Sequence, residues 1–411
     1  MNGSKSPSML SAPGARALLG SSILARLPLA MFSLALLVHA RGLTGSYAIA
    51  GLVSGACAVG SAVSAPVLGG LVDRSGQTWV LIAGATAAAV ALVADGLLPA
   101  SAPAWLLVAL GAAVGLSTPP LDACVRTLLP AISPDPSRLP TLFAFESTAL
   151  EVTFVAGPPL ALGLGSLWSP GGALVVCGVV MLVGTLAFAA QPASRRWRSD
   201  FEGRRIRGGS LRAAALRTLV CVELATGIAF GATEVGVTAA AHALGSMAAA
   251  GPVLGLWGAG SLLGGVVATR LGGAARDGRG LISLLIALAI THGALILTTG
   301  SVPALGIVIT LAGATIAPTA SSIYAMVDVV APAGTQTEAY SWMLTASLVG
   351  ASLGMAGAGT LVQSSGAPAA FALVGIAGGV AVAVAMRGSH GLPGESRRRA
   401  AGRFHLRVKS A

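Results

Sequence analysis

The chain has 411 residues, of which 55% are hydrophobic and only 9% charged, with a formal net charge of +11 and a mean hydropathy of +0.83. So few charges cannot coat a water-soluble globule of this size, which excludes a soluble enzyme or nucleic-acid-binding domain and leaves an integral membrane protein. Long unbroken apolar runs such as 78–98 and 281–299 make it helical, because the strands of a membrane barrel would alternate apolar and polar residues.

In chain order, residues 1–17 read as a Ser/Pro/Gly-rich tail with Lys5 and Arg16. The apolar stretch at about 18–40 is too long for a signal-peptide core and is expected to stay as a first span. Further spans are predicted at about 46–72, 78–98, 103–127, 140–164, 170–190, 214–240, 249–271, 280–299, 303–327, 337–361 and 366–386, twelve in all. All Lys and Arg except Arg26 and Arg41 fall in the tails or in alternate connections or their flanks. That bias predicts a multi-pass protein of the plasma membrane with both termini cytoplasmic, its basic charge facing the bilayer rather than nucleic acid.

The expected organisation is a six-helix bundle over 18–190, a basic linker over 191–213, a second six-helix bundle over 214–387 and a basic tail over 388–411. The linker carries Arg195, Arg196, Arg198, Arg204, Arg205, Arg207 and Arg212 and reads as a solvated tether that touches anionic lipid. The tail is expected to be largely disordered. A weak internal repeat supports duplication. Shifting the fifth span by 197 residues pairs Phe143 with Tyr340, Phe145 with Trp342 and Gly157 with Gly354, while Gly60-Ser61 in the second span has a counterpart in Gly260-Ser261 in the eighth.

Between the second and third spans lies Gly69-Gly70-Leu71-Val72-Asp73-Arg74-Ser75-Gly76-Gln77. Gly69 and Gly76 permit close packing and an unusual backbone, and Asp73 and Arg74 put charge at the membrane surface. This string, following an apolar span near residue 70 of a twelve-span chain, resembles the signature loop of the major facilitator superfamily of secondary transporters. The resemblance implies an all-α integral membrane fold, twelve transmembrane helices in two pseudo-symmetric six-helix bundles, working by alternating access. It further implies that Asp73 faces the start of the helix beginning near Glu338, and that Arg74 competes for Asp122. The pair would form a latch that breaks when the transporter opens inward. Since Asp122 and Arg126 are four residues apart on one helical face, a local ion pair between them is the plainer reading.

Ionisable groups inside spans are expensive and mark function by default. They are Arg26 in the first span, Asp122 and Arg126 in the fourth, Glu146 and Glu151 in the fifth, and Glu223 and Glu234 in the seventh. Asp95, Asp328 and Glu338 lie near span ends, where water is expected to reach them. Glu146 and Glu151 are about 140° apart around a helix and cannot share a face. Glu151 precedes Gly157-Pro158-Pro159, which resembles the antiporter signature of the fifth helix, with Thr153 and Ala161 at two of its glycine positions. Glu151 is the first candidate to exchange a proton and Glu234 the second, against the plainer alternative of a neutral Glu hydrogen-bonded to a neighbouring helix. In the family the first, fourth, seventh and tenth helices line a central cavity, which makes Arg26 and Glu234 candidates for substrate contact. A structural partner for one of the acids is the equal alternative for Arg26.

Trp257 and Trp342 are weaker cavity candidates, whereas Trp79, Trp105, Trp168 and Trp197 sit near span ends as interfacial anchors. The four cysteines, Cys57, Cys124, Cys177 and Cys221, read as small buried hydrophobes. No His or Cys spacing suits a metal, and there is no phosphate-binding Gly-Lys-Ser/Thr loop or hydrolase motif. A non-enzymatic transporter without cofactor is therefore expected. It would be driven by the proton gradient and act as a monomer exporting a drug-like or hydrophobic metabolite. Within the family the chain resembles actinobacterial multidrug and small-metabolite permeases, on Glu338-Ala-Tyr340-Ser-Trp342 leading into a glycine-rich helix and on its Ala/Gly/Arg-heavy composition. Uptake of a polar metabolite by symport or uniport is the alternative, and a non-transporting receptor a more distant one.

Overall fold

The computed structural model describes residues 15–132, 139–198, 209–246, 249–273, 275, 277–389 and 391–392. Most of the N-terminal tail, residues 199–208 of the linker and nearly all of the C-terminal tail lie outside the described residues. Among the described residues fifteen α-helices follow one another: α1 (Ala15–Thr44), α2 (Tyr47–Ser75), α3 (Gln77–Gly96), α4 (Ala104–Ser117), α5 (Leu121–Ile132), α6 (Leu139–Leu167), α7 (Pro170–Ala189), α8 (Pro192–Arg196), α9 (Ala214–Ala243), α10 (Ala250–Arg270), α11 (Gly278–Gly293), α12 (Val302–Gly313), α13 (Ile316–Val330), α14 (Gln336–Ser365) and α15 (Ala367–Arg387). Among the described residues eleven stretches are long and apolar enough to cross a membrane, and α6, with 29 residues, is a twelfth long helix. Local chemistry sets several starts. The side chains of Ser46, Ser169, Asp277 and Ser301 each accept a backbone N–H of the first turn of α2, α7, α11 and α12, satisfying donors that a helix leaves open.

Two spans expected to be continuous are broken. The fourth is α4 and α5, interrupted at Thr118-Pro119-Pro120, where the prolines remove backbone donors and clash with the preceding turn. The tenth is α12 and α13, interrupted at Ala314-Thr315, three residues before Pro318. Thr118 turns its hydroxyl back onto the Val114 carbonyl, an acceptor that the break leaves without its helical partner, and Thr315 gives both its backbone N–H and its hydroxyl to the Ala312 carbonyl.

The chain divides into two compact units. The first holds residues 1–142, 152–205 and 333–341, and the second holds 143–151, 206–332 and 342–411. Each is built from the same pairings. In the first unit α1 packs on α7, α2 on α4 and α3 on α7; in the second α9 packs on α15, α10 on α12 and α11 on α15. The shared glycines explain the likeness. A Cβ on Gly60 would strike the Ala112 carbonyl and Leu116 nitrogen, and one on Gly260 would strike the Thr310 carbonyl and Ala314 nitrogen. Gly157 lies on Ala30, and Gly354 on Ile228. Apolar burial does not drive helices together inside lipid, so such close backbone approach supplies the packing.

The linker is more ordered at its start than a solvated tether. Ser194 of α8 is fully buried and donates to Gln77 Oε1 at 3.0 Å. The Gln77 amide donates in turn to the Cys124 carbonyl at 3.1 Å and the Thr127 hydroxyl at 3.0 Å. Gln77, itself fully buried, thus fastens the start of α3 to both α5 and α8. Of the cysteines, Cys57, Cys124 and Cys177 are buried as expected and Cys221 is exposed.

Candidate functional site

In the first unit, α2 ends at Ser75 and Gly76 turns the chain into α3 with φ 87°, a backbone that L side chains rarely adopt. The last turn of α2 aims Asp73 at the start of α14. Its two carboxylate oxygens accept the backbone N–H of Thr337 at 3.0 Å and of Glu338 at 2.9 Å. An anion on the open donors of a helix N-terminus is favoured by hydrogen bonding and by the helix dipole alike. Gly69 makes the approach possible, since a Cβ there would sit 2.8 Å from the Thr337 carbonyl oxygen. Arg74, next to Asp73, is exposed.

The break in the fourth span creates a second polar centre. Asp122 falls in the first turn of α5, and Arg26 of α1 reaches it with an Nη1–Oδ1 distance of 3.0 Å. Arg26 is almost wholly buried and also donates from Nε to the Ser22 carbonyl at 3.4 Å. Arg126, Glu146 and Glu223 are buried as well, each with polar contacts of its own.

In the second unit Glu234 differs. It is exposed on α9, about 14 Å from the end of that helix at about 1.5 Å per residue, and opens into a cavity of about 610 Å³. Thr238 and His242, one and two turns on, share the cavity with it, while Val235, Met355 and Val362 supply apolar walls. A neighbouring cluster fixes Trp257. His292, fully buried on α11, places Nδ1 at 3.0 Å from the Leu288 carbonyl. That carbonyl can only accept, so Nδ1 carries the hydrogen and Nε2 accepts the Trp257 indole N–H at 3.2 Å. Phe230 meets the indole edge-on, with centroids 5.6 Å apart. Glu151 is half-buried on α6 and faces the Ser261 hydroxyl, which makes no hydrogen bond of good geometry. Trp342 is half-buried on α14.

Residues 18–273, well over half the chain, match the Major Facilitator Superfamily. The chain belongs to the Major Facilitator Superfamily. Its fold agrees. The crystal structure of a bacterial homologue of the iron transporter ferroportin, in an outward-facing state, is similar with a TM-score of 0.73 at 18% identity, over 91% of this chain and 98% of that one. The human organic anion transporter MFSD10 (TETRAN) is similar with a TM-score of 0.70 at 17% identity, over 93% and 99%. At these identities the likeness is one of fold, and no curated protein matches the sequence. The chain is therefore a multi-pass membrane transporter of this superfamily.

Several expectations for this superfamily member change in detail. Asp122 pairs with Arg26 rather than with Arg126 or Arg74: the helix break places it at a helix start, where the first span passes. Arg26 is accordingly a partner for an acid, the alternative held open for it. Asp95, expected within reach of water, is fully buried. Glu146 is fully buried and Glu151 half-buried, in keeping with their 140° separation. Gly157 packs on Ala30, while the side chain of Pro158 lies outside the described residues. Trp79, Trp105 and Trp168 are exposed near helix ends, as membrane anchors are. Sequence reasoning passed over Gln77, Thr238 and the link from His292 to Trp257. The Pro119-Pro120 pair was the available signal for the break beside Asp122.

Proposed function

We propose that this transporter exports a small hydrophobic or cationic molecule across the plasma membrane in exchange for protons, by alternating access, with both termini in the cytoplasm. The observation that carries this reading is Glu234. A carboxylate on a membrane-spanning helix is tolerated where it faces a cavity rather than lipid. Among the described residues it has no hydrogen-bonding or ion-pair partner, and apolar side chains share its cavity. Such a site offers a lipophilic cation both a counter-charge and an apolar wall, and offers a proton the same carboxylate, so that the two compete. Competition of that kind is the basis of exchange.

Glu151 is the second proton candidate. Asp73 on the start of α14 is the latch, which opens when the cytoplasmic side opens; its two hydrogen bonds to Thr337 and Glu338 support that role. Arg26 is tied to Asp122 and is not offered to substrate. No cofactor enters the scheme, and the proton gradient is the energy source.

The test is dye-reported proton movement in inverted membrane vesicles during addition of lipophilic cations, antibiotics and sugars. A substrate-triggered collapse of the gradient, lost in Glu234→Gln, is expected. Its persistence in Glu234→Gln and in Glu151→Gln would remove both carriers. Silence of the wild type to every cation, with uptake of a sugar down its gradient, would replace export by facilitated entry.

A further inference from the structure

Asp95 is used by none of the above. It lies in the last turn of α3, at the end opposite Arg74, and is fully buried. Neither carboxylate oxygen has a hydrogen-bond partner, and among the described residues no cation pairs with it. A carboxyl group held this way finds no counter-charge or donor in the protein, which leaves a proton as the species that can meet it. The groups around it come from every helix packed on that end of α3. From α1 comes His39, only 6% exposed, with Nε2 2.9 Å from the main-chain carbonyl of Asp95. Arg41, two residues further along α1, has contacts of its own. From α2 comes the buried thiol of Cys57, within electrostatic reach of the carboxyl. Neither α4 nor α7 carries a charged residue. Gly96 and Gly171 close the end by backbone contact, and the His39 ring lies against Gly171.

We propose that Asp95 is a proton-binding site of the first bundle, loaded from the outer side of the membrane through His39. The sidedness rests on the topology proposed above, and the site goes beyond the Glu234 cavity. The carbonyl of Asp95 can only accept, so His39 carries its hydrogen on Nε2 and leaves Nδ1 basic. A proton taken from outside at Nδ1 gives the imidazolium. Once the ring turns from the main-chain carbonyl to the carboxylate of the same residue, transfer of the Nε2 hydrogen to an ionised Asp95 yields the neutral acid and a neutral ring in the other tautomer. The location suits the role. The acid is one residue from the end of α3, closed off by one glycine contact and one titratable ring.

The test uses full-length protein in proteoliposomes, oriented by a tag on one terminus, with the pH stepped on one side. Infrared difference spectra between wild type and Asp95→Asn isolate the carboxyl band of this residue. The band is expected in the wild type at neutral pH and expected to respond to pH on the outer side first. His39→Gln keeps a donor for the Asp95 carbonyl but cannot relay, and is expected to slow that response by about tenfold or more with the band retained. A band absent from the wild type, or one that never exchanges with either side, would overturn the site. An unchanged rate in His39→Gln would overturn the relay. Wild-type vesicles with no substrate-triggered proton movement would count against the export reading while leaving the infrared result to decide Asp95.

Discussion

Asp122 and Glu234 are both acids inside membrane-spanning helices, and the protein treats them in opposite ways. Asp122 begins a helix just after a break and is held by a buried Arg26 at 3.0 Å. Glu234 sits within an unbroken helix, has no such partner among the described residues and opens into a cavity. An acid whose charge is already met locally holds elements together, and one whose charge is unmet is available to something that comes and goes. Asp73, satisfied by two backbone donors of α14, stands between them. It is fully engaged, by the open backbone donors of a helix start rather than by a counter-charge.

Substitutions sharpen this contrast, beginning with the ion pair. Arg26→Leu strands a carboxylate, and a loss of about 3–5 kcal/mol is expected from breaking a buried pair on one side. Thermal unfolding in detergent checks it, and the double change Arg26→Leu with Asp122→Leu should recover much of the loss. If the single and double variants unfold alike, the pair is not what holds α1 to α5. Next is Gly69→Val, which drives a side chain into the Thr337 carbonyl. Overpacking of this kind costs about 1–3 kcal/mol and should speed the labelling of a cysteine introduced at the start of α14. Asp73→Asn removes the anion but keeps an acceptor, so about 1 kcal/mol is expected from the weakened cap, read as faster labelling near Thr337 with the melting temperature little changed. Glu234→Gln should change stability least, within about 0.5 kcal/mol, while removing transport. A large stability loss there would mean the acid has a structural partner after all.

Much of this was legible in the chain. The apolar runs and the alternation of basic residues specify spans and their order, because the cost of burying charge in lipid is large and local. The seat of Asp73 at the start of α14 was legible through the resemblance of its loop to the superfamily signature, and Gly69 and Gly76 have physical reasons to flank it. The Gly60-Ser61 and Gly260-Ser261 repeat anticipated two equivalent helix contacts, as both glycines now lie on a backbone. The Arg26 to Asp122 pairing was not legible, because it joins residues 96 apart and depends on where a helix breaks. The prolines at 119 and 120 hinted at that break. The break at Ala314-Thr315 had no breaker at its own position, only Pro318 beyond it. Gln77 was hidden for another reason: a polar residue at a span end reads as solvated until the buried Ser194 is seen to need it.

The most direct test is binding of a lipophilic phosphonium cation to purified protein across a pH series, comparing wild type with Glu234→Gln. If one carboxylate serves cation and proton in turn, wild-type affinity rises as pH rises and the carboxylate loses its proton, while Glu234→Gln binds weakly and without pH dependence. Equal affinity and an equal pH slope in the two proteins would contradict the account.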